Sequence, residues 1–149
     1  MMPSSYETDT RLLEEYRTLE YILLGDLRDL LEEPPDEQNR RWLRAILHAL
    51  LDTLPREFAI RQQGGYLSEV IEQHPNWCGL VENLQEEKRR LYERLQQLHA
   101  RLLHHADYRA VARHLRRDLR DWITTLVAHH RHERRLVQSA FNTEVGAGD

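Results

Sequence analysis

Apolar residues recur at every third or fourth position along most of the chain, the spacing that places them on one face of an α-helix. The alternation of apolar and polar residues that is typical of strands is absent, as are the residue pairs that form hairpin turns. Loops are expected where helix-breaking and capping residues cluster, in 33-EPPD-36, 74-HPNW-77 and 104-HHAD-107. Since these loops separate four long segments, the pattern predicts an all-α protein, an up-down-up-down four-helix bundle.

Each of the four predicted helices carries an apolar stripe that polar residues interrupt. In chain order the stripes are Leu12, Tyr16, Leu19, Leu23 and Leu30; Leu43, Leu47, Leu50, Leu54, Glu57 and Arg61; Leu84, Lys88, Leu91, Leu95, Leu98 and Leu102; and Leu115, Leu119, Trp122, Leu126, His129, Glu133 and Leu136. A charged residue on such a stripe faces the core, where its burial is costly unless it has a partner. We therefore expect the interrupting residues to meet inside the bundle.

The two halves of the chain share a pattern at an offset of 72 residues, which is the separation of Tyr16 from Lys88. The stretch 12-LLEEYRTL-19 aligns at this offset with 84-LQEEKRRL-91. Two helical hairpins related by an internal twofold repeat would bring the interruptions of all four helices to one level of the core. The predicted buried polar cluster consists of Tyr16, Glu57, Arg61, Lys88, His129 and Glu133.

The spacing of these residues resembles the hemerythrin-like fold, a four-helix bundle that holds a di-iron site. In that family the second and fourth helices carry His-x-x-x-Glu, and the first and third carry a signature of the type Glu-His-x-x-Leu. His129 and Glu133 stand four residues apart, as His-x-x-x-Glu requires, and the stretch 58-FAIRQQGGYL-67 also resembles a family segment. The resemblance implies a single hemerythrin-like domain over residues 8–141, with terminal tails at 1–7 and 142–149.

Four of the six aligned ligand positions hold other residue types. Tyr16 and Lys88 stand where the first and third helices would carry histidine. Glu57 and Arg61 replace the histidine and glutamate of the second helix, so that two of the four substitutions introduce cations. Because cations oppose the charge of a di-iron centre, we expect that the site is lost and that the chain holds no cofactor. A buried salt-bridge network would take its place, in a protein with a binding, regulatory or structural role.

Two alternatives stay open. The first is a metal-binding or oxygen-sensing hemerythrin-like protein, with iron at a degenerate site of His129 and Glu133 together with Tyr16 or Glu57. The second is an enzyme that uses Lys88, the only lysine beside 20 arginines, as a base or nucleophile. Since a lysine on an apolar stripe is more often an ion-paired structural residue, enzymatic activity is not expected.

The charge of the chain argues against nucleic-acid binding. Residues 1–74 hold 15 acidic and 8 basic residues, a net charge of −7, whereas residues 75–149 hold 10 and 13, a net charge of +3. Four arginines share one helical face of the second half, but the chain as a whole is acidic, and nucleic-acid-binding domains are basic. The four arginines are Arg109, Arg113, Arg116 and Arg120.

The remaining sequence features predict where in the cell the protein is located and which way two further histidine side chains face. The single cysteine, Cys78, excludes an internal disulfide, and the chain shows neither a transmembrane segment nor a signal peptide. We therefore expect a cytoplasmic protein that does not contact a membrane and binds an unknown protein or small-molecule partner. His130 and His132 flank the apolar stripe of the fourth helix, so their side chains are expected to face outward or sideways.

Overall fold

The computed structural model describes the backbone of residues 5–63, 66–104 and 106–147, and the side chains of this part except those of 5–10, 61–63, 66–68, 141 and 143–147. Most of this part is helical and none of it forms a strand, which confirms the predicted all-α class. The elements are α1 (Ser5–Leu30), α2 (Glu37–Gln63), α3 (Tyr66–Gln73), a 3₁₀ turn (Pro75–Trp77), α4 (Cys78–His104) and α5 (Tyr108–Ala147).

The predicted loops form where the capping residues lie. Asp36 caps α2, because its side-chain Oδ1 accepts a hydrogen bond of 2.8 Å from the backbone N–H of Asn39. The second predicted loop is the 3₁₀ turn, where the His74 ring stacks on Trp77 with a centroid distance of 4.5 Å. At the third, α4 ends at His104 and α5 begins at Tyr108.

Two features of the helices differ from the sequence prediction. The short helix α3 was not predicted; it is held by a small second core in which Val70 packs with Val81, Leu84 and Ala140. Residues 5–7 and 142–147, predicted as tails, belong to α1 and α5, since no proline interrupts the backbone there.

The long helices α1, α2, α4 and α5 lie antiparallel to their neighbours. In each pair, positions further along one helix contact positions earlier along the other. The contacts that fix these directions are Arg40 with Leu102 and Phe58 with Lys88 (α2 with α4), Arg101 with Asp118 and Leu91 with Trp122 (α4 with α5), and Leu31 with Arg120 and Glu20 with His130 (α1 with α5). The short loop between α1 and α2 makes these two helices antiparallel as well.

Leucine side chains fill the core between these helices. On α2, α4 and α5 the buried leucines are those of the predicted stripes. On α1 the predicted stripe holds at Leu23 and Leu30, which are buried, but not in the first half of the helix: Leu12 and Leu19 are 36% and 41% exposed, whereas Leu13, Glu20 and Leu27 are buried. The pairs of adjacent leucines in α1 are compatible with either phase, and the structure selects the one that turns Glu20 into the core.

Arg116 and Arg120 of α5 hold the loop between α1 and α2 against α5. Arg116 and Arg120 donate hydrogen bonds of 3.2 and 2.7 Å to the backbone carbonyl of Leu31, just beyond the end of α1. Arg116 also donates to the side-chain oxygen of Asn39, which in turn donates to the carbonyl of Leu30. These bonds satisfy carbonyl groups that a helix end leaves without a partner. Among the described helices, none is both long and apolar enough to cross a bilayer.

Candidate functional site

Five ionisable side chains are buried between α1, α2, α4 and α5. They are Glu20, Glu57, Lys88, His129 and Glu133, each at most 5% exposed. Burial of a single charge in a protein core costs several kcal/mol, so a set of this size persists only when its members compensate one another. The cluster therefore constrains the fold and is the candidate functional site.

A buried salt bridge joins α4 to α5 in this cluster. The Lys88 ammonium nitrogen lies 3.3 Å from Glu133 Oε2, and both side chains are less than a tenth exposed. The same ammonium lies over the ring of Phe58, 5.2 Å from its centroid, so the negative face of the aromatic ring also stabilises the cation. Lys88 is thus held by one carboxylate and one aromatic face.

His129 connects this salt bridge to a second carboxylate. Its Nε2 lies 3.4 Å from Glu133 Oε2, the oxygen that also faces Lys88. Its Nδ1 lies 2.7 Å from Oε2 of Glu87, which is half-buried on α4. The imidazole therefore lies between two carboxylates, hydrogen-bonded to Glu87 through Nδ1 and within ion-pair distance of Glu133 through Nε2.

One residue of the predicted cluster, Tyr16, is not part of this arrangement. It is half-buried, and its hydroxyl group and the nearby carboxylate of Asp52 raise the pKa of the exposed Arg56. The side chain of Arg61 lies outside the described residues. The polar residue that α1 contributes to the core is Glu20, four positions after Tyr16.

A second group of donors lies on the α1 side of the cluster. His130 Nε2 is 2.6 Å from Glu20 Oε1. One side-chain donor atom from each of Glu20, Glu57 and His130 lies within 4.8 Å of the other two. His130 was expected to face outward or sideways; its side chain is 20% exposed and directed toward Glu20 on α1. Glu20 was not predicted, because the apolar stripe of α1 was assigned through Leu12 and Leu19. A stripe through Leu13 and Leu27 would have placed Glu20 on the buried face of the helix.

This second group borders a cavity of about 700 Å³ between α1 and α5. Glu20, Glu57 and His130 line the cavity together with four arginines, two from each helix. The arginines are Arg17, Arg28, Arg131 and Arg134. Solvent therefore has a route to carboxylates that are otherwise inside the protein.

The residues at the positions aligned with di-iron ligands do not fit a di-iron centre. Such a centre needs carboxylates and neutral imidazoles from several helices. Here α4 places the ammonium of Lys88 at that position, against the carboxylate of Glu133 that a metal would require. A metal ion at this position would have to compete with the Lys88 ammonium group for that carboxylate.

Comparisons of the chain with protein-family models, with curated proteins and with solved structures found no match.

Proposed function

We propose that the protein is a hemerythrin-like, up-down-up-down four-helix bundle in which a buried ion pair takes the place of the di-iron site, and that it acts as a binding module. The observation that carries this proposal is the contact of 3.3 Å between Lys88 and Glu133. A bundle of this kind would have kept the architecture of an oxygen-binding family without its redox chemistry.

The helix arrangement supports the bundle. Antiparallel contacts link α1 with α5, α5 with α4, and α4 with α2, and a short loop links α2 with α1. An internal repeat is supported by Glu57 and His129, which stand 72 residues apart and are 0% and 2% exposed. His129 also has the setting of a former ligand, since metal-binding histidines commonly direct their second ring nitrogen to a carboxylate, as Nδ1 does here to Glu87.

Charge explains why the ion pair would exclude iron. A divalent cation about 4 Å from an ammonium group is repelled by ~8 kcal/mol at an effective dielectric constant of ~20. The carboxylate of Glu133 would have to release Lys88 before it could bind a metal. The ion pair also keeps the amine in its ammonium form, which has no lone pair for nucleophilic attack, so the enzyme alternative is disfavoured.

A binding role is supported by the outer face of α1 and α2. Trp42 is 56% exposed, and it borders an open groove of about 570 Å³ whose apolar lining includes Leu30 and Ile46. The groove is framed by four acidic residues, Asp26, Asp29, Glu33 and Asp36. Exposed tryptophan in an otherwise polar surface is typical of protein interfaces. We infer a partner segment that presents an apolar side chain between lysines or arginines.

The experiment that tests the loss of the di-iron site is reconstitution with iron. Protein purified without an affinity tag is treated with ferrous iron under anaerobic conditions and then exposed to oxygen. We expect no charge-transfer absorption from an oxo-bridged iron pair. An oxo-bridged spectrum that disappears in His129→Gln and Glu133→Gln would show that the aligned positions still bind iron, and the proposal would be wrong.

A further inference from the structure

We propose that Glu20, Glu57 and His130 form a binding site for one divalent transition-metal ion of the zinc class. The site goes beyond the proposed function, because Glu20 and His130 are not at positions aligned with di-iron ligands. Only Glu57 belongs to both sets. The proposal rests on three donor groups that α1, α2 and α5 bring together beside a cavity.

The geometry matches a metal site whose ligand atoms would shift slightly when the metal binds. The donor atoms lie within 4.8 Å of one another, whereas ligand atoms on one zinc ion are at most ~4.2 Å apart, given bonds of ~2.1 Å. His130 and Glu20 are now hydrogen-bonded at 2.6 Å. A metal ion that replaces the shared proton would separate these two atoms to ~3.3 Å in a tetrahedral site. Shifts of this size require only side-chain movement.

The donor types select the class of metal. An imidazole with two carboxylates suits zinc, manganese, cobalt and ferrous iron, whereas thiolate-preferring ions find no sulfur ligand in this group. Two carboxylate charges balance a divalent cation, and they come from Glu20 and Glu57, which are 4% and 0% exposed.

The cavity supplies access and the remaining ligand. Water in the space between α1 and α5 would complete a fourth coordination position. The arginines that line this cavity oppose the entry of a cation, but Arg17, Arg131 and Arg134 are exposed, so solvent weakens that opposition. The same arginines would attract an anionic group that reaches the metal in place of water.

Titration with zinc chloride tests the site. Tag-free protein, first freed of metal with a chelator, is titrated by isothermal calorimetry, and we expect one zinc ion per chain. Glu20→Gln and His130→Gln should each weaken binding at least ~10-fold, because each removes one ligand. The matched control is His132→Gln, on the same helix and 53% exposed, which should change the affinity by less than ~2-fold. Loss of binding in the control, or unchanged binding in both site variants, would overturn the proposal.

A measurement on the wild-type protein covers the case in which a variant fails to fold. X-ray absorption of the zinc complex should show one imidazole ligand and otherwise oxygen. Two or more imidazoles would place the metal at His129 and its neighbours, and the proposed site would be wrong. That outcome would also count against the ion pair at Lys88, whereas failure to bind any zinc would leave the ion pair unaffected.

Discussion

At the scale of the residue, the core is organised by how each buried charge meets its partner. The Lys88 ammonium nitrogen and His129 Nε2 lie 3.3 and 3.4 Å from the same oxygen, Oε2 of Glu133. None of the three would be stable alone in a leucine core, because an isolated buried charge loses its hydration without compensation. Their identities are therefore fixed by one another more than by the apolar residues around them.

A second residue-scale effect links stability to pH. Burial lowers the pKa of His99, and the neighbouring His48 and Arg44 lower it further. The unfolded chain, with a histidine pKa of about 6.5, then binds more protons than the folded chain just below that pH. The free energy of unfolding therefore rises with pH in this window, and the protein loses stability as the pH falls below about 6.5.

The pH effect predicts the behaviour of His99→Gln. Urea unfolding at about pH 5 and about pH 7.5 should show a smaller loss of stability on acidification than in the wild type. His48→Gln should give part of the same change, because it removes one of the neighbouring charges but not the burial. His114→Gln, at an exposed position, is the control. Equal pH dependence in His99→Gln and the wild type would contradict this account.

The buried positions of Glu57, Lys88, His129 and Glu133 follow from the sequence alone, because each interrupts a leucine stripe with one possible phase. The pairing of these residues does not follow, since it depends on the rotation of α4 against α5. Glu20 and His130 were missed for a related reason. His130 lies one position after His129, and only the contact with α1 turns it inward.

At the scale of the element, regular leucine spacing made α2, α4 and α5 predictable, and capping residues located their starts. The short α3 was not predictable, because its eight residues contain too few turns to establish a period. Its position is set by contact of Val70 with residues from α4 and α5. The phase of α1 depended in the same way on its neighbours.

Helix ends in this protein are completed by side chains from distant parts of the sequence. Arg40 donates a hydrogen bond of 2.9 Å to the carbonyl of Leu102, 62 residues away. Arg120 donates to Leu31, 89 residues away. Arg120 and Arg116, which also donates to Leu31, are two of the four arginines on one face of α5, and these bonds give them a structural role. No local pattern in the sequence reveals such bonds.

At the scale of the whole molecule, charge is divided between the two halves of the chain. Arginines of α5 bind the loop that follows α1, which is consistent with the net charges of −7 and +3. The outer groove between α1 and α2 nevertheless keeps an acidic border around Trp42. A basic partner would therefore meet an opposite charge on this face, and such attraction mainly increases the rate of association and its dependence on salt.

The groove can be tested with two designed peptides of the same length. One carries leucines flanked by lysine and arginine, and the other carries leucines flanked by glutamate. Fluorescence anisotropy should show at least ~10-fold tighter binding of the basic peptide, weakened by salt. Trp42→Ala should reduce this binding by a further ~10-fold. The control is Leu80→Ala, at a residue 52% exposed on α4. Equal binding of both peptides, or equal effects of both variants, would contradict the proposed surface.

The central claim, that a mutually dependent ion pair occupies the core, is tested most directly by the free energy of unfolding. Lys88→Met and Glu133→Gln should each lower it by ~3–5 kcal/mol, because each leaves a buried group without its charge partner. The double variant Lys88→Met/Glu133→Leu should recover much of that loss. Arg56→Met, in the exposed pair with Asp52, is the control and should leave the free energy of unfolding close to the wild-type value. Single core variants as stable as this control would contradict the account.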